Sequence, residues 1–255
     1  MMRALTTAGT GMIAQQFNLD TIANNLANIN TTGFKEQRAE FEDLMYQTYK
    51  ASAQSSNATQ VGLGSVFKSS ASNFGIGAIQ QTGNATDVAI TGDGFFQVRK
   101  SDDTIAYTRD GSFKKDAIGQ LVTSDGFPLE PPITVPPNAT SINIAPNGEV
   151  SVTVPGADQP QSLGTIQIAV FANPSGLTRI GQNLYSSGGS SGDPQLTTPG
   201  KDGAGALQSN SLEGSNVQVV EEMVRMIMAQ RAYEINSKAI QTSDEMLSIL
   251  NNLKR

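Results

Sequence analysis

Histidine, cysteine and tryptophan are all missing from this 255-residue chain, and the first two absences exclude most of the familiar chemistries. Without histidine, Ser-His-Asp and Cys-His nucleophile systems and His-ligated zinc sites are ruled out. Without cysteine there are no disulfides, thiol nucleophiles or thiolate metal sites. No stretch reaches the roughly 18 apolar residues of a membrane span. The opening Met1-Met2-Arg3-Ala4-Leu5 leads into no continuous apolar run of the about 7–15 residues that a cleaved secretory signal needs.

Basic charge is also scarce. Lys and Arg number 17 against 23 Asp and Glu, a formal net charge of −6. That balance argues against nucleic acid, whose phosphates call for clustered cations, and no polybasic membrane patch is present. The excess is unevenly placed: residues 1–30 carry only Arg3 and Asp20, residues 219–255 are balanced, and the middle holds all the excess acid. Hydrophobic residues make up 38%, with 25 Gly and 11 Pro, so turns and extended segments are expected in an elongated molecule.

Several aspartates, Asp87, Asp93, Asp102, Asp103 and Asp110, raise the question of calcium or of a paired-carboxylate hydrolase. Their spacing fits neither an EF-hand loop nor a carboxylate pair, and each lies in a polar or Gly-containing turn where Asx-turn chemistry accounts for it. No catalytic residue, metal or cofactor is assigned.

What the chain does have is heptad order at both ends. Leu5, Met12, Leu19 and Leu26 recur every seven residues, with Ala8, Gln15, Ile22 and Ile29 three further on, which reads as a coiled-coil seam. At the other end Val219, Met226, Tyr233, Ile240 and Leu247 repeat the spacing. Ser215 and Gln218 suit a capping box, and Glu221, Glu222, Lys254 and Arg255 suit the macrodipole. Between them lie short β-like runs: Val88-Ala89-Ile90, Phe95-Phe96-Gln97-Val98, Ile142-Asn143-Ile144, Val150 to Val154 and Thr165 to Phe171. Turn signals such as Gly92-Asp93-Gly94, Asp125-Gly126 and Asn147-Gly148 separate them.

The expected class is α+β. Helices at 1–30 and 215–255 pair with each other, extended stretches at 31–66 and 186–214 form a paired connector, and an antiparallel β domain occupies 67–185. Isolated helices of this length are marginal in water, so the seams are expected to bury against each other and against further copies of the chain. Asn18, Asn24, Asn25, Asn28 and Asn30 crowd a helix that better helix formers would have served. Amide hydrogen bonds between packed helices and neighbouring subunits are expected of them, with a solvated polar face as the alternative.

The stretch Ala23-Asn24-Asn25-Leu26-Ala27-Asn28-Ile29-Asn30-Thr31-Thr32-Gly33-Phe34-Lys35 resembles the amino-terminal signature of the flagellar axial proteins, the rod, hook and hook-associated proteins. Ser215-Asn216-Val217, Glu221-Glu222-Met223-Val224, Gln230-Arg231-Ala232-Tyr233-Glu234 and Lys238 to Thr242 resemble their carboxy-terminal one. Thr91 to Phe96 and Tyr107 to Phe113 match the same relatives, so the likeness spans nearly the whole chain. The opening residues, Phe41 to Gln47 and the modest length look most like the distal rod. A proximal-rod or hook-type subunit, or a secreted β-rich binding module, remains the alternative.

The resemblance implies a non-enzymatic subunit of the bacterial flagellar basal body, exported by the type III apparatus without a cleaved signal. It implies assembly beneath a rod cap into a hollow helical homo-polymer with the terminal helices innermost, spanning the periplasm to the outer membrane. The implied partners are proximal rod proteins, hook protein, P and L ring proteins, cap and export apparatus. A drive shaft must not bend as a hook does, so the segment around Tyr46, Gly62, Leu63 and Gly64, flanking the polar tract Lys50–Gln60, is expected to stiffen it.

Overall fold

The computed structural model describes residues 2–49, 59–155, 159–201 and 203–253. The chain is α+β and divides into two compact units. One contains the two long helices and residues 37–73. The other contains residues 28–36 and 74–217.

In the helical unit, helix α1 (Met2–Ala27) packs on helix α2 (Val219–Leu253) and on a β-hairpin. The hairpin base is Gln37–Asp43 paired antiparallel with Ser65–Ser72, carrying a bulge at Glu40/Phe41. Tyr46–Tyr49 paired with Thr59–Gly62 extends it. Phe67 anchors the hairpin, its ring stacked 4.8 Å from Phe17 of α1 and met edge-on by Phe41 at 6.2 Å. Gly64, at φ +118°, lies against α1: a Cβ there would lie 2.1 Å from Thr10 Oγ1, so only glycine fits.

The β unit is built on a seven-stranded antiparallel sheet. Its order runs Thr178–Gly181, Leu184–Ser186, Ile105–Thr108, Phe95–Arg99, Ile168–Val170, Gln195–Thr197, with Leu129–Glu130 also paired to Phe95–Arg99. Successive side chains of a strand face opposite ways. Phe96 therefore enters one core with Val88, Ile90, Phe113, Leu129, Val150 and Ile168, while Phe95 enters a second with Tyr107, Phe171, Leu177 and Tyr185. Burial on both faces is why this strand carries large apolar side chains at adjacent positions, with Gln97 the one polar residue between Phe95 and Val98. A three-stranded sheet, Ser141–Ile144, Glu149–Thr153 and Gln161–Thr165, adds Ile144, Val150 and Val152 to the first core.

The stretches 31–66 and 186–214 meet where Gly33 N–H donates to Glu213 O at 2.8 Å and Lys35 Nζ donates to the Glu213 carboxylate. Residues 37–72 close locally as a hairpin, and the return stretch pairs with the β unit through Gln195–Thr197 on Ile168–Val170, Ala206–Ser209 on Val88–Thr91 and Ser211–Glu213 on Ile79–Gln81. The run Thr165 to Phe171 is two strands because the chain changes partners: Gln161–Thr165 pairs with Glu149–Thr153, a ladder that Ile166 N–H continues to Gly148 O, whereas Ile168–Val170 pairs with Phe95–Arg99 and Gln195–Thr197. Ser215 caps no helix: its hydroxyl accepts from Val217 N–H at 3.3 Å, and α2 starts after Gln218, whose carbonyl accepts from Glu222 N–H.

Candidate functional site

The antiparallel pairing of α1 and α2 is fixed at two points that run in opposite sequence directions. Asn25 near the end of α1 donates to Glu222 Oε2 near the start of α2 at 3.1 Å. A Cβ on Gly11 would lie 2.9 Å from Asn236 Nδ2. The same register sets Asn18 opposite Ala229.

The seam itself differs from a coiled coil of large apolar rows. Of the predicted α1 positions, Ala8 and Ile22 are buried and Leu5, Met12, Gln15, Leu19 and Leu26 half-buried. Ile29 lies past the helix end, half-buried. On α2, Met226 and Ile240 are half-buried while Val219, Tyr233 and Leu247 stay exposed. The deepest positions of α2 are Glu222, Ala229 and Ser243, one heptad row away from the predicted one. Counting large apolar residues missed this row. The same seven-residue count applied to small and polar residues picks out Gly11, Asn18 and Asn25 against Asn236, Ala229 and Glu222. Small side chains let the axes approach, and interaxial distance follows the residues at the contact.

Asn25 is the pivot of this unit. Buried at 1% exposure, its amide donates to Gln37 O at 2.8 Å as well as to Glu222, and its Oδ1 accepts from Gln37 N–H at 2.9 Å. One side chain thus ties α1 to α2 and to the hairpin. Glu222 is also met by Arg225 at 2.8 Å, so its buried carboxylate is paired. Asn24 is exposed and Asn28 half-buried, accepting from Thr31 Oγ1.

The opposite face of α2 is apolar and uncovered in a single chain. Val220, Val224, Ile227 and Ile235 are between 50% and 76% exposed, with Met223, Met228, Met246 and Ile249 nearby. Gln230 and Arg231 share this outward region, Arg231 pairing with Glu234 at 2.9 Å. Large apolar side chains exposed together in this way mark an interaction surface.

On the hairpin, Tyr46 is exposed and its ring covers Gly62, whose hypothetical Cβ would sit 3.4 Å from it. Leu63 is exposed at the margin and Gly64 lies against α1. The polar tract expected to order between them falls largely at residues 50–58, outside the described residues, as do Lys254 and Arg255.

In the β unit, two motif segments and the strand Ser211–Glu213 converge on buried charge. Lys35 Nζ donates to Glu213 Oε1 at 2.6 Å and to Gly75 O at 2.8 Å, and Arg109 Nη1 donates to Glu213 Oε2 at 3.2 Å. All three side chains are at most 1% exposed. Desolvation lowers the Lys35 pKa from its ordinary value, the Glu213 carboxylate opposes the shift and Arg109 adds to it. Gly77 N–H completes Glu213 at 2.9 Å, and Arg109 Nη2 reaches Gly92 O. Arg179 lies over both Phe34 and Tyr185 and donates to Lys35 O. Asn183 donates to Thr32 O. Gly33, at φ +66°, packs where a Cβ would meet the Arg109 carbonyl carbon at 2.7 Å. The motifs around Gly33-Phe34-Lys35 and Arg109 were legible, but Glu213 was not: 178 residues separate it from Lys35.

The aspartates behave as turn residues. Asp110 Oδ1 accepts from Ser112 N–H, Asp102 from Thr104, and Asp87 from Thr82 and Asn84. Among the described residues no three acidic, His or Cys side chains gather as a metal site, and no helix is long and apolar enough to cross a membrane.

Residues 5–35 match the description flagella basal body rod protein. Residues 89–152 match flagellar hook protein FlgE/F/G D1 domain, and 208–253 match flagellar basal body rod FlgEFG protein C-terminal. The chain is 53% identical to the flagellar basal-body rod protein FlgG of Borreliella burgdorferi, covering 100% of both. It is 48% identical to that of Buchnera aphidicola, over 99% of the chain and 100% of the relative. The Bacillus subtilis protein of the same name is 42% identical, with 100% of each covered.

Proposed function

The chain belongs to the FlgG family of flagellar basal-body rod proteins, and from that premise we propose that it is a distal-rod subunit whose helical unit builds a hollow helical drive shaft. As a member of that family it is a structural subunit of the flagellar rod. Torque transmission and the lack of catalysis follow from that role. The observation that carries the proposal is the uncovered apolar face of α2 around Val220, Val224, Ile227 and Ile235. Burying an isoleucine is worth about 1.5–3 kcal/mol, so a few such side chains per contact, repeated along a polymer, hold copies together.

In this reading Gln230, Arg231 and Tyr233 contribute to contacts between copies, and the row from Leu5 to Leu26 sets the shape of the helix pair presented to them. Tyr46, Gly62, Leu63 and Gly64 form the stiffening segment, because the hairpin that bears them is anchored on α1 and presents exposed Met45 and Tyr46 to a neighbour. The proposed location is the rod between periplasm and outer membrane, reached by type III export without a cleaved signal. Proximal rod, hook, P and L ring, cap and export proteins are the proposed partners.

The test is sedimentation of the full chain beside a variant carrying Ile227→Asp and Ile235→Asp, since burying carboxylates without partners costs several kcal/mol. The reading expects self-association to disappear while far-UV circular dichroism keeps the helical signal. An equally large assembly from the variant would refute it.

A further inference from the structure

Two cations and one carboxylate are sealed together in the β unit, and each comes from a different part of the chain: Lys35, Arg109 and Glu213. Glu213 is the shared anion for both, and Arg109 Nε has no hydrogen-bond partner. Stability is a poor reason for such a cluster, because buried ion pairs often contribute no more than apolar residues of the same volume. What the geometry provides is conditionality. The segment 28–36 lies on the β unit through Gly33 N–H to Glu213 O at 2.8 Å, Glu36 N–H to Asn216 Oδ1 at 2.7 Å and Lys35 Nζ to the Glu213 carboxylate. Glu213 itself ends a three-residue strand, Ser211–Glu213, paired with Ile79–Gln81.

We propose that this cluster is a conformational clasp in which the Glu213 carboxylate fastens the segment following α1 to the β unit, making its docking and the formation of the Ser211–Glu213 strand one event. Before Glu213 is in place, Lys35 and Arg109 are like charges without their buried counter-ion, the exposed Asp93 carboxylate being the other anion that acts on Lys35, and the segment is released to water. Once it is in place, both are paired and the backbone bonds at Gly33, Glu36 and Gly77 close together. The clasp thus makes the docking of residues 28–36 depend on Glu213, 178 residues beyond Lys35 in the sequence.

Charge compensation and simple packing make opposite forecasts for substitutions in the full chain. Glu213→Gln is nearly isosteric but leaves two buried cations facing each other. Lys35→Met changes more shape but leaves a neutral Arg109–Glu213 pair, and Gly75 O keeps its bond from Asn216 Nδ2. Read by hydrogen exchange at the Gly33, Glu36 and Gly77 amides, Glu213→Gln is expected to lose protection by about a hundredfold or more, and Lys35→Met by less than about tenfold. Adding Lys35→Met to Glu213→Gln removes one of the two unpaired cations, so the double variant recovers protection relative to Glu213→Gln alone. If Glu213→Gln fails to fold, recovery of soluble folded protein by the double variant gives the same reading. A loss in Lys35→Met equal to or greater than that in Glu213→Gln, or a double variant no better than Glu213→Gln alone, overturns the clasp.

Discussion

Asn25 offers the sharpest test of how the helical unit is held. Replacing it with alanine removes two amide donations and one acceptance. Neutral bonds contribute about 0.5–1.5 kcal/mol each and a bond to a charged group about 1.5–3 kcal/mol. Because Glu222 keeps Arg225, a net loss of about 3 kcal/mol is expected. Asn25→Asp is closer in shape yet worse. It sets a second carboxylate where the Nδ2 to Glu222 Oε2 distance is 3.1 Å, and at that separation an effective dielectric of about 20 gives about 5 kcal/mol of repulsion. Relaxation and the nearby Arg225 reduce this, leaving Asn25→Asp about 2 kcal/mol below Asn25→Ala at neutral pH. The carboxyl pair then holds a proton more tightly folded than unfolded, so the deficit is full at neutral pH and disappears as acid protonates the pair. Urea unfolding followed by far-UV circular dichroism, at neutral and at mildly acidic pH, reads both effects. An Asn25→Asp chain as stable as Asn25→Ala at neutral pH, or one indifferent to acid, would show that Asn25 does not hold α1 to α2 through Glu222.

Two further outcomes follow from the geometry. Deleting residues 46–63 joins Met45 to Gly64, and Asp43 already pairs with Ser65, so the hairpin base recloses; polymers of that variant are expected to form and to bend, and unchanged persistence length in electron micrographs would remove the stiffening role. Burial raises the Tyr185 pKa above the ordinary phenol value near 10, with Arg179 and Arg109 opposing. Its contribution is therefore complete below about pH 10 and is lost as pH rises through the folded value, and Tyr185→Phe should flatten that alkaline decline in unfolding experiments. An identical alkaline decline in both proteins would contradict this.

Sequence order made the two helices, the antiparallel β class and the strands at Val88, Phe95, Ile142 and Val150 visible, because each carries its period in large apolar residues. The helix seam was only half legible. Its inner row is Gly11, Asn25, Glu222, Ala229 and Asn236, and hydrophobicity is blind to residues chosen for smallness or for a hydrogen bond. The hairpin at 37–72 was hidden because its strands are polar and largely exposed, with Phe67 alone in contact with rings on both sides. Gly33 stands in the amino-terminal motif, but its close approach to Arg109 depends on chain packing that no local pattern records. The Lys35–Glu213 pair is the extreme case, since a buried charge declares itself only when its partner is in view.

A density map of filaments assembled from the full-length chain tests the central claim most directly. The account predicts Val220, Val224, Ile227 and Ile235 of each copy buried against helices of its neighbours. A map in which that face of α2 remains open to solvent, with copies meeting only through other surfaces, would contradict it.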